Sequence, residues 1–286
     1  MARVRVLVDG DWLEKQLDDP AVVVFEVDEN SRAHAARHIP GALAVDWRTD
    51  LQDPLRRDLI GQDAFEQLLT THQVTPDDTV ILYGGDNNWF AAYAYWYFKL
   101  YGHRDVRLLD GGTKRWELDG RPLTDAETVR RRTPRPAAYR AQPADGSLRA
   151  YRDDVIAAIG RDSILDVRSP AEFSGEILAP AHFPQEQPQV PGHVPGAVNV
   201  PWSQAVADDG TFRTDAQLRD LYAGAGLALA GPGGEPASDI VVYCRIGERS
   251  AHSWFVLHEL LDQPSVKNYD GSWVEYGSLI GVPVEV

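Results

Sequence analysis

Cys244 is the single cysteine of a 286-residue chain, and it lies in Ile240-Val241-Val242-Tyr243-Cys244-Arg245-Ile246-Gly247-Glu248-Arg249-Ser250. Four residues suited to a buried strand run straight into the thiol, and a six-residue polar loop with one glycine follows. From Ala251 to Leu261 the spacing predicts a helix, with Trp254, Val256, Leu257, Leu260 and Leu261 on its apolar face. A strand, a tight loop and a helix start put the sulfur in a ring of loop N–H groups, an anion nest. Partial positive charge there favours the thiolate, which is the nucleophilic form of cysteine. Arg245 and Arg249 add two full charges, so the expected chemistry is attack by Cys244 on an anionic substrate. Ile246, Gly247, Glu248 and Ser250 complete the nest, with Glu248 expected to point to solvent or to cap the helix. A strand-end cysteine is often only a small buried hydrophobe; the two arginines and the helix start favour the nucleophile.

The rest of the chain must position this loop. Val4 to Val8, Ala21 to Val27, Leu43 to Val45, Thr79 to Tyr83 and Val106 to Leu109 read as short apolar strands. Asp9 to Leu17, Asp63 to His72, Trp89 to Tyr101 and Thr113 to Leu118 read as helices between them, the first capped by Asp9 or Asp11. The pattern then restarts. Ser163 to Val167, Ile240 to Tyr243 and Val266 to Tyr269 read as strands, and Tyr151 to Ile159 and Ala216 to Ala223 as helices. His38-Ile39-Pro40-Gly41-Ala42 returns as His193-Val194-Pro195-Gly196-Ala197. Asp110 to Trp116 is echoed by Asp270 to Trp273, and Gly120-Arg121-Pro122 by Gly281-Val282-Pro283. The period is of domain length, far beyond the roughly 20–50 residues of a solenoid repeat. Two similar α/β domains follow, 1–132 and 149–286, joined by a proline-bearing linker at 133–148. Strand–helix alternation implies in each a mostly parallel sheet covered by helices on both faces. Ligands bind beyond the carboxyl ends of such strands, where Cys244 falls.

Tyr83 aligns with Tyr243, so Gly84 stands opposite Cys244. The loop Gly84-Gly85-Asp86-Asn87-Asn88 has no thiol and no arginine, and Asp86 would repel an anion. The first domain is therefore expected to be inactive, packing against the second.

Composition narrows the classes. Hydrophobic content is 43%, normal for a globular chain. One cysteine excludes an internal disulfide and an all-cysteine metal site, and it fits a reducing compartment. The first residues carry no signal-peptide core, and no stretch is long and apolar enough to span a membrane; Trp89 to Leu100 is too short and contains Lys99. A cytoplasmic protein is expected. The net charge of −15 argues against nucleic acid as a partner and requires that an anion site be locally basic.

The Asp166-Val167-Arg168 strand end, the repeated His-x-Pro-Gly-Ala turn and the Cys-Arg-x-Gly-x-Arg-Ser loop resemble the rhodanese family of sulfurtransferases. The tandem arrangement resembles its two-domain thiosulfate sulfurtransferases. Trp47-Arg48-Thr49-Asp50-Leu51-Gln52-Asp53-Pro54 and Asn268 to Trp273 resemble the actinobacterial members in particular. The resemblance implies two rhodanese-like domains, the C-terminal one active. It implies that Cys244 takes the outer sulfur of thiosulfate as a persulfide, releases sulfite, and passes the sulfur to cyanide or a thiol. Arg249 would bind the sulfonate oxygens, Arg245 would assist, and the loop N–H groups would stabilise the persulfide. Asp166 and Arg168 would brace the loop as an ion pair. No metal or organic cofactor is implied. Many two-domain members carry a second arginine four positions after the Asp-x-Arg arginine; here that position is Glu172.

Other readings remain open on sequence. Members that prefer 3-mercaptopyruvate carry small and hydroxyl residues after the cysteine rather than arginines. Fold-related cysteine phosphatases have one more residue between cysteine and arginine, where Ser250 stands here. A non-catalytic sulfur carrier or regulatory module could use the same fold. His38 and His193 occupy equivalent turns in both copies and are expected to hold them. His252 and His258 lack ligand spacing on one helix face. The aromatic run Trp89, Tyr93, Tyr95, Trp96, Tyr97 and Phe98 is expected in packing rather than nucleic-acid stacking. Trp202, Phe212 and Trp273 are candidates for a pocket mouth. Oligomeric state and the physiological acceptor are not encoded legibly.

Overall fold

Parallel strands need long crossover connections, and strand–helix alternation in both halves supplies them. The computed structural model describes residues 3–30, 32–127, 136–180, 187–231, 234 and 238–286. The chain divides into two units, Arg3–Asp145 with Asp208–Thr211, and Gly146–Ala207 with Phe212–Val286. Positions 133–135 of the expected linker lie outside the described residues; 136–145 run without regular structure into a short 3₁₀ turn at Gly146–Leu148.

The first unit holds strands β1 (Leu7–Val8), β2 (Val22–Glu26), β3 (Leu43–Ala44), β4 (Thr79–Tyr83) and β5 (Asp105–Leu109), all parallel, in the order β1-β5-β4-β2-β3. The runs that form β2 and β4 are apolar on both faces because both faces are covered; Phe25, Ile81 and Leu82 are fully buried. Helix Gly10–Gln16 starts where expected, with Asp9 Oδ1 accepting the Trp12 N–H at 2.7 Å. The expected strand over Val4 to Val8 is corrected: Arg3–Val6 is a helical turn, and only Leu7 and Val8 pair, with Leu108 and Leu109. Val4 is solvent-exposed while Val6 and Val8 are buried, so only the end of the alternating run meets the core. The aromatics of helix Trp89–Leu100 are buried except for half-buried Trp89, with Tyr97 Oη donating to the Leu51 carbonyl at 2.5 Å.

The second unit holds β6 (Ser163–Asp166), β7 (Val198–Asn199), β8 (Ile240–Tyr243) and β9 (Val266–Tyr269), again parallel, in the order β7-β6-β8-β9. Register makes the two units comparable. Glu26 is paired with Tyr83 across β2 and β4, and Asp166 with Tyr243 across β6 and β8. The strand-end tyrosines do the same work in each: Tyr83 Oη accepts the Ile39 N–H at 3.0 Å, and Tyr243 Oη accepts the Val194 N–H at 3.1 Å. Those amides belong to the repeated turns. His38 and His193 hold the turns as expected, through Nδ1 contacts with the His34 and Phe173 carbonyls and through bridges to Thr124 and Glu285.

Two local devices aim the site. Ser169-Pro170-Ala171-Glu172 is a capping box for helix Pro170–Phe173: the Glu172 carboxylate accepts the Ser169 N–H at 3.1 Å, and Ser169 Oγ accepts the Glu172 N–H at 3.3 Å. This fixes the Glu172 side chain. At the other end, Gly247 has φ +103°, and a Cβ there would lie 2.7 Å from Asp270 Cα. The chain turns so sharply at Gly247 that the next helix begins at Glu248.

Candidate active site

The loop after β8 is shorter than expected. Helix Glu248–Phe255 starts at Glu248 rather than Ala251, so Glu248, Arg249 and Ser250 are its first turn, and Cys244 to Gly247 alone form the loop. The polar run Glu-Arg-Ser reads as loop in isolation; the left-handed Gly247 makes it helix. A cation in the first turn, here Arg249, is unfavourable at a helix N-terminus, and it is offset by the buried carboxyl groups of Glu172 and Glu248.

Cys244 is fully buried. Its sulfur is met by polar groups: it accepts the Gly247 N–H at 3.1 Å, its Sγ–H faces Glu248 Oε2 at 3.7 Å, and Ser272 Oγ lies 4.0 Å away. The backbone of Cys244 is clamped. Its N–H donates to Ser272 Oγ at 3.1 Å, and its carbonyl accepts the Trp273 N–H at 3.0 Å. Ser272 holds a left-handed conformation, φ 52°, that serine rarely adopts. Its hydroxyl donates to the Tyr269 carbonyl at 2.8 Å.

The expectation that Glu248 points to solvent or caps the helix is corrected. Its carboxyl is buried against the sulfur, with Oε1 4.0 Å from Arg245 Nη2. Burial pushes this carboxyl above the usual carboxylate range, against the opposing pull of Arg249 and Arg245. Arg249 is also not an unopposed cation. Its Nη1 and Nη2 donate to Glu172 Oε2 and Oε1, each at 3.0 Å. Burial alone would raise Glu172; the Arg249 fork and the Ser169 donors outweigh it and hold the carboxyl below its usual range. Burial likewise works against the Arg249 charge, and Glu172, Cys244 and Glu248 more than restore it.

The remaining predicted residues serve the frame. Ser250 donates to Asn268 Oδ1 at 2.7 Å, and Asn268 Nδ2 donates to the Gly247 carbonyl at 3.2 Å, which orients the Gly247 peptide. Ile246 is buried beside them. Arg168 and Asp166 form a fully buried pair, Nη2 to Oδ2 at 2.6 Å. The guanidinium also donates to the Gly192 carbonyl at 2.7 Å and lies over the Trp273 ring at 4.8 Å, which ties the repeated turn to the loop floor. Trp273 is buried in that floor, while Trp202 and Phe212 pack on His252 at 5.1 and 5.0 Å between ring centroids.

Sequence reasoning did not single out Ser272 and Asn268. One signal for Ser272 was present: it stands where the first copy has Gly112, also at φ 52°. A serine replacing glycine at a left-handed position needs a reason, and the Cys244 amide supplies it. In the first unit the loop Gly84 to Asn88 fills its own nest. The Gly84 N–H donates to Asn88 Oδ1 at 3.0 Å and the Gly85 N–H to Asp28 Oδ2 at 2.7 Å. Burial, with Asp28 adding to it, raises Asp86.

Among the described residues no cluster of His, Cys, Asp and Glu could hold a metal ion, and no helix is long and apolar enough to cross a membrane. A family model described as Rhodanese-like domain matches residues 9–119 and again 151–279. A relative from Mycolicibacterium smegmatis, named "Putative thiosulfate sulfurtransferase", is 59% identical over 286 residues, covering 100% of this chain and 99% of its own. The "Sulfur carrier protein TtuD" of Thermus thermophilus is 48% identical over 288 residues, covering 99% of this chain and 97% of its own. The solved structure of SseA from Escherichia coli, described as a 3-mercaptopyruvate sulfotransferase of the rhodanese fold, matches with a TM-score of 0.76 at 26% identity, over 93% of this chain and 98% of that one.

Proposed function

The chain belongs to the rhodanese family, and we propose that it is a thiosulfate sulfurtransferase whose C-terminal copy, 149–286, does the chemistry. In this reading 1–132 is a non-catalytic copy and 133–148 the linker. Cys244 is the nucleophile. Its thiolate attacks the outer sulfur of thiosulfate; the donor S–S bond breaks, its electron pair leaves with sulfite, and a persulfide forms on Cys244. A thiophilic acceptor, cyanide or a thiol, then takes that sulfur and returns the thiolate.

The observation that carries the reading is the Gly247 N–H on the sulfur at 3.1 Å, in a loop that holds Arg245 and leads directly into the helix turn bearing Arg249. A peptide donor already aimed at sulfur stabilises the negative charge that builds there, without reorganisation. Arg245, and Arg249 shared with Glu172, receive the anionic end of the donor. Asp166 and Arg168 stay in the frame. No cofactor takes part in the scheme. A single thiol acting as a nucleophile suits a reducing compartment such as the cytoplasm.

Two alternatives have specific support. The likeness to SseA favours 3-mercaptopyruvate as donor, and the Thermus relative favours a carrier that keeps its persulfide for a protein acceptor. Steady-state turnover separates them. With cyanide as acceptor, thiosulfate is expected to give a kcat/KM at least tenfold above 3-mercaptopyruvate, and p-nitrophenyl phosphate no turnover. Faster turnover of 3-mercaptopyruvate would reassign the donor; persulfide formation without turnover would make the protein a carrier.

A further inference from the structure

The pocket holds two guanidinium groups, Arg245 and Arg249, two carboxyl groups, Glu172 and Glu248, and one thiol. Glu172 is committed to Arg249 by two hydrogen bonds, so its charge is fixed. Glu248 is different. It faces the thiol at 3.7 Å, its contact with Arg245 is long at 4.0 Å, and it is buried. A thiolate and a carboxylate this close, both out of water, repel strongly, and one proton between them removes that repulsion.

We propose that Cys244 and Glu248 share a single proton, and that Glu248 is the catalytic base that ionises the sulfur. The inference rests on Cys244 being the nucleophile of the proposed transfer. The Sγ–H bond breaks and an O–H bond forms on Glu248 Oε2, so the pocket's total charge is unchanged. The thiolate attacks the outer sulfur of thiosulfate, and sulfite leaves with the electron pair of the broken S–S bond. Glu248 keeps the proton while the persulfide carries the negative charge. When the acceptor anion removes the outer sulfur, the thiolate re-forms and takes the proton back. A dianionic donor thus meets a neutral Glu248 rather than a carboxylate. The charged groups around the pair are Arg245 on the loop, Arg249 on the same helix, Glu172 behind Arg249 on the Pro170–Phe173 helix, and the Arg149–Asp270 ion pair packed against Gly247. The Ser272 hydroxyl approaches from the Ser272–Tyr276 helix. Burial already pushes the Glu248 carboxyl up, toward the protonated form the step produces.

The test is the pH profile of kcat/KM for thiosulfate in wild type, Glu248→Gln and Glu248→Asp. The wild-type profile is expected to be flat from about pH 6 to 9, because the proton moves within the pair. Glu248→Gln must lose its thiol proton to solvent. It is expected to fall about 10–100-fold at pH 7 and to rise about tenfold per pH unit toward the ordinary thiol range near 8.5. Glu248→Asp is expected to keep the flat shape at a lower rate. A flat Glu248→Gln profile at the wild-type rate overturns the inference, as does an Asp profile with the Gln slope. Because Cys244 is the only thiol, absorbance near 240 nm reads its ionisation in the unmodified protein. A single rise near pH 8.5 there overturns the inference without any variant. Cys244→Ser separates the two claims: sulfur transfer surviving in that variant defeats the nucleophile and the base with it, whereas loss of transfer there beside a wild-type profile in Glu248→Gln defeats the base alone.

Discussion

Glu172 and Arg249 meet through two N–H···O bonds of 3.0 Å each, with Glu172 1% and Arg249 7% exposed. A carboxylate therefore already occupies the guanidinium that sequence reasoning offered to the donor. In the proposed transfer a donor anion shares Arg249 with Glu172, and the pair fixes the first turn of the Glu248–Phe255 helix against the Pro170–Phe173 helix.

Removing one partner leaves the other buried and uncompensated. Glu172→Gln is expected to cost roughly 3 kcal/mol of stability. The sign with pH follows from the lowered carboxyl. Its stabilisation is full above the unfolded value of 4.5 and is lost as pH falls through the lower folded value. Acid denaturation curves of wild type and variant should therefore converge below pH 4.5; parallel curves would detach Glu172 from stability.

Arg249→Ala tests donor binding against structure. It is expected to raise KM for thiosulfate at least tenfold and to lower kcat less, since a guanidinium binds the donor in ground and transition states alike. Adding Glu172→Gln should restore thermal stability, because no charge is then left unpaired, while KM stays high. A double variant that recovers KM would make Arg249 purely structural.

Ser272→Gly removes the hydroxyl that receives the Cys244 amide but suits φ 52° better than serine does. Stability should change by less than about 1 kcal/mol while kcat falls about tenfold, through a looser Cys244. Ser272→Ala keeps the strain and loses the hydroxyl, so it should be the less stable of the two by thermal denaturation. An unchanged kcat in both would deny Ser272 a positioning role.

These residues mark what the sequence could reveal. The strand into Cys244, the repeated histidine turns and the doubled α/β pattern were legible, because apolar runs, glycines and motif spacing are local signals. The alignment of Tyr83 with Tyr243 was legible too, and register bears it out through Glu26 and Asp166. The orientation of Glu248 was not. It depends on where the helix starts, and that depends on Gly247 packing against Asp270, a contact remote in sequence. Glu172 was visible as a departure from the family pattern, but its use, pairing with Arg249, appears only when two distant helix starts meet. Arg3–Val6 misled because alternation of valine and arginine fits an edge strand as well as a helical turn that buries only Val6.

The first unit carries its own titrating group. Burial raises the Glu26 carboxyl from 4.5 to about 7, with the Tyr83 hydroxyl opposing and Asp28 adding. A raised acid favours folding below the unfolded value, and that advantage is lost as pH climbs through the folded value. Between pH 4.5 and 7 the loss is about 3 kcal/mol. Glu26→Gln removes this dependence. Hydrogen exchange of β2 and β4 amides should slow in the variant relative to wild type as pH rises over that interval, after correction for intrinsic exchange rates. An identical dependence in both proteins would leave Glu26 unlinked to stability.

The most direct measurement is the mass of the protein after brief exposure to thiosulfate, followed by peptide mapping. One added sulfur, about 32 Da, is expected on the peptide bearing Cys244, with one sulfite released per chain and the adduct removed by cyanide. No adduct on Cys244, or turnover of thiosulfate by Cys244→Ser at the wild-type rate, would contradict the account.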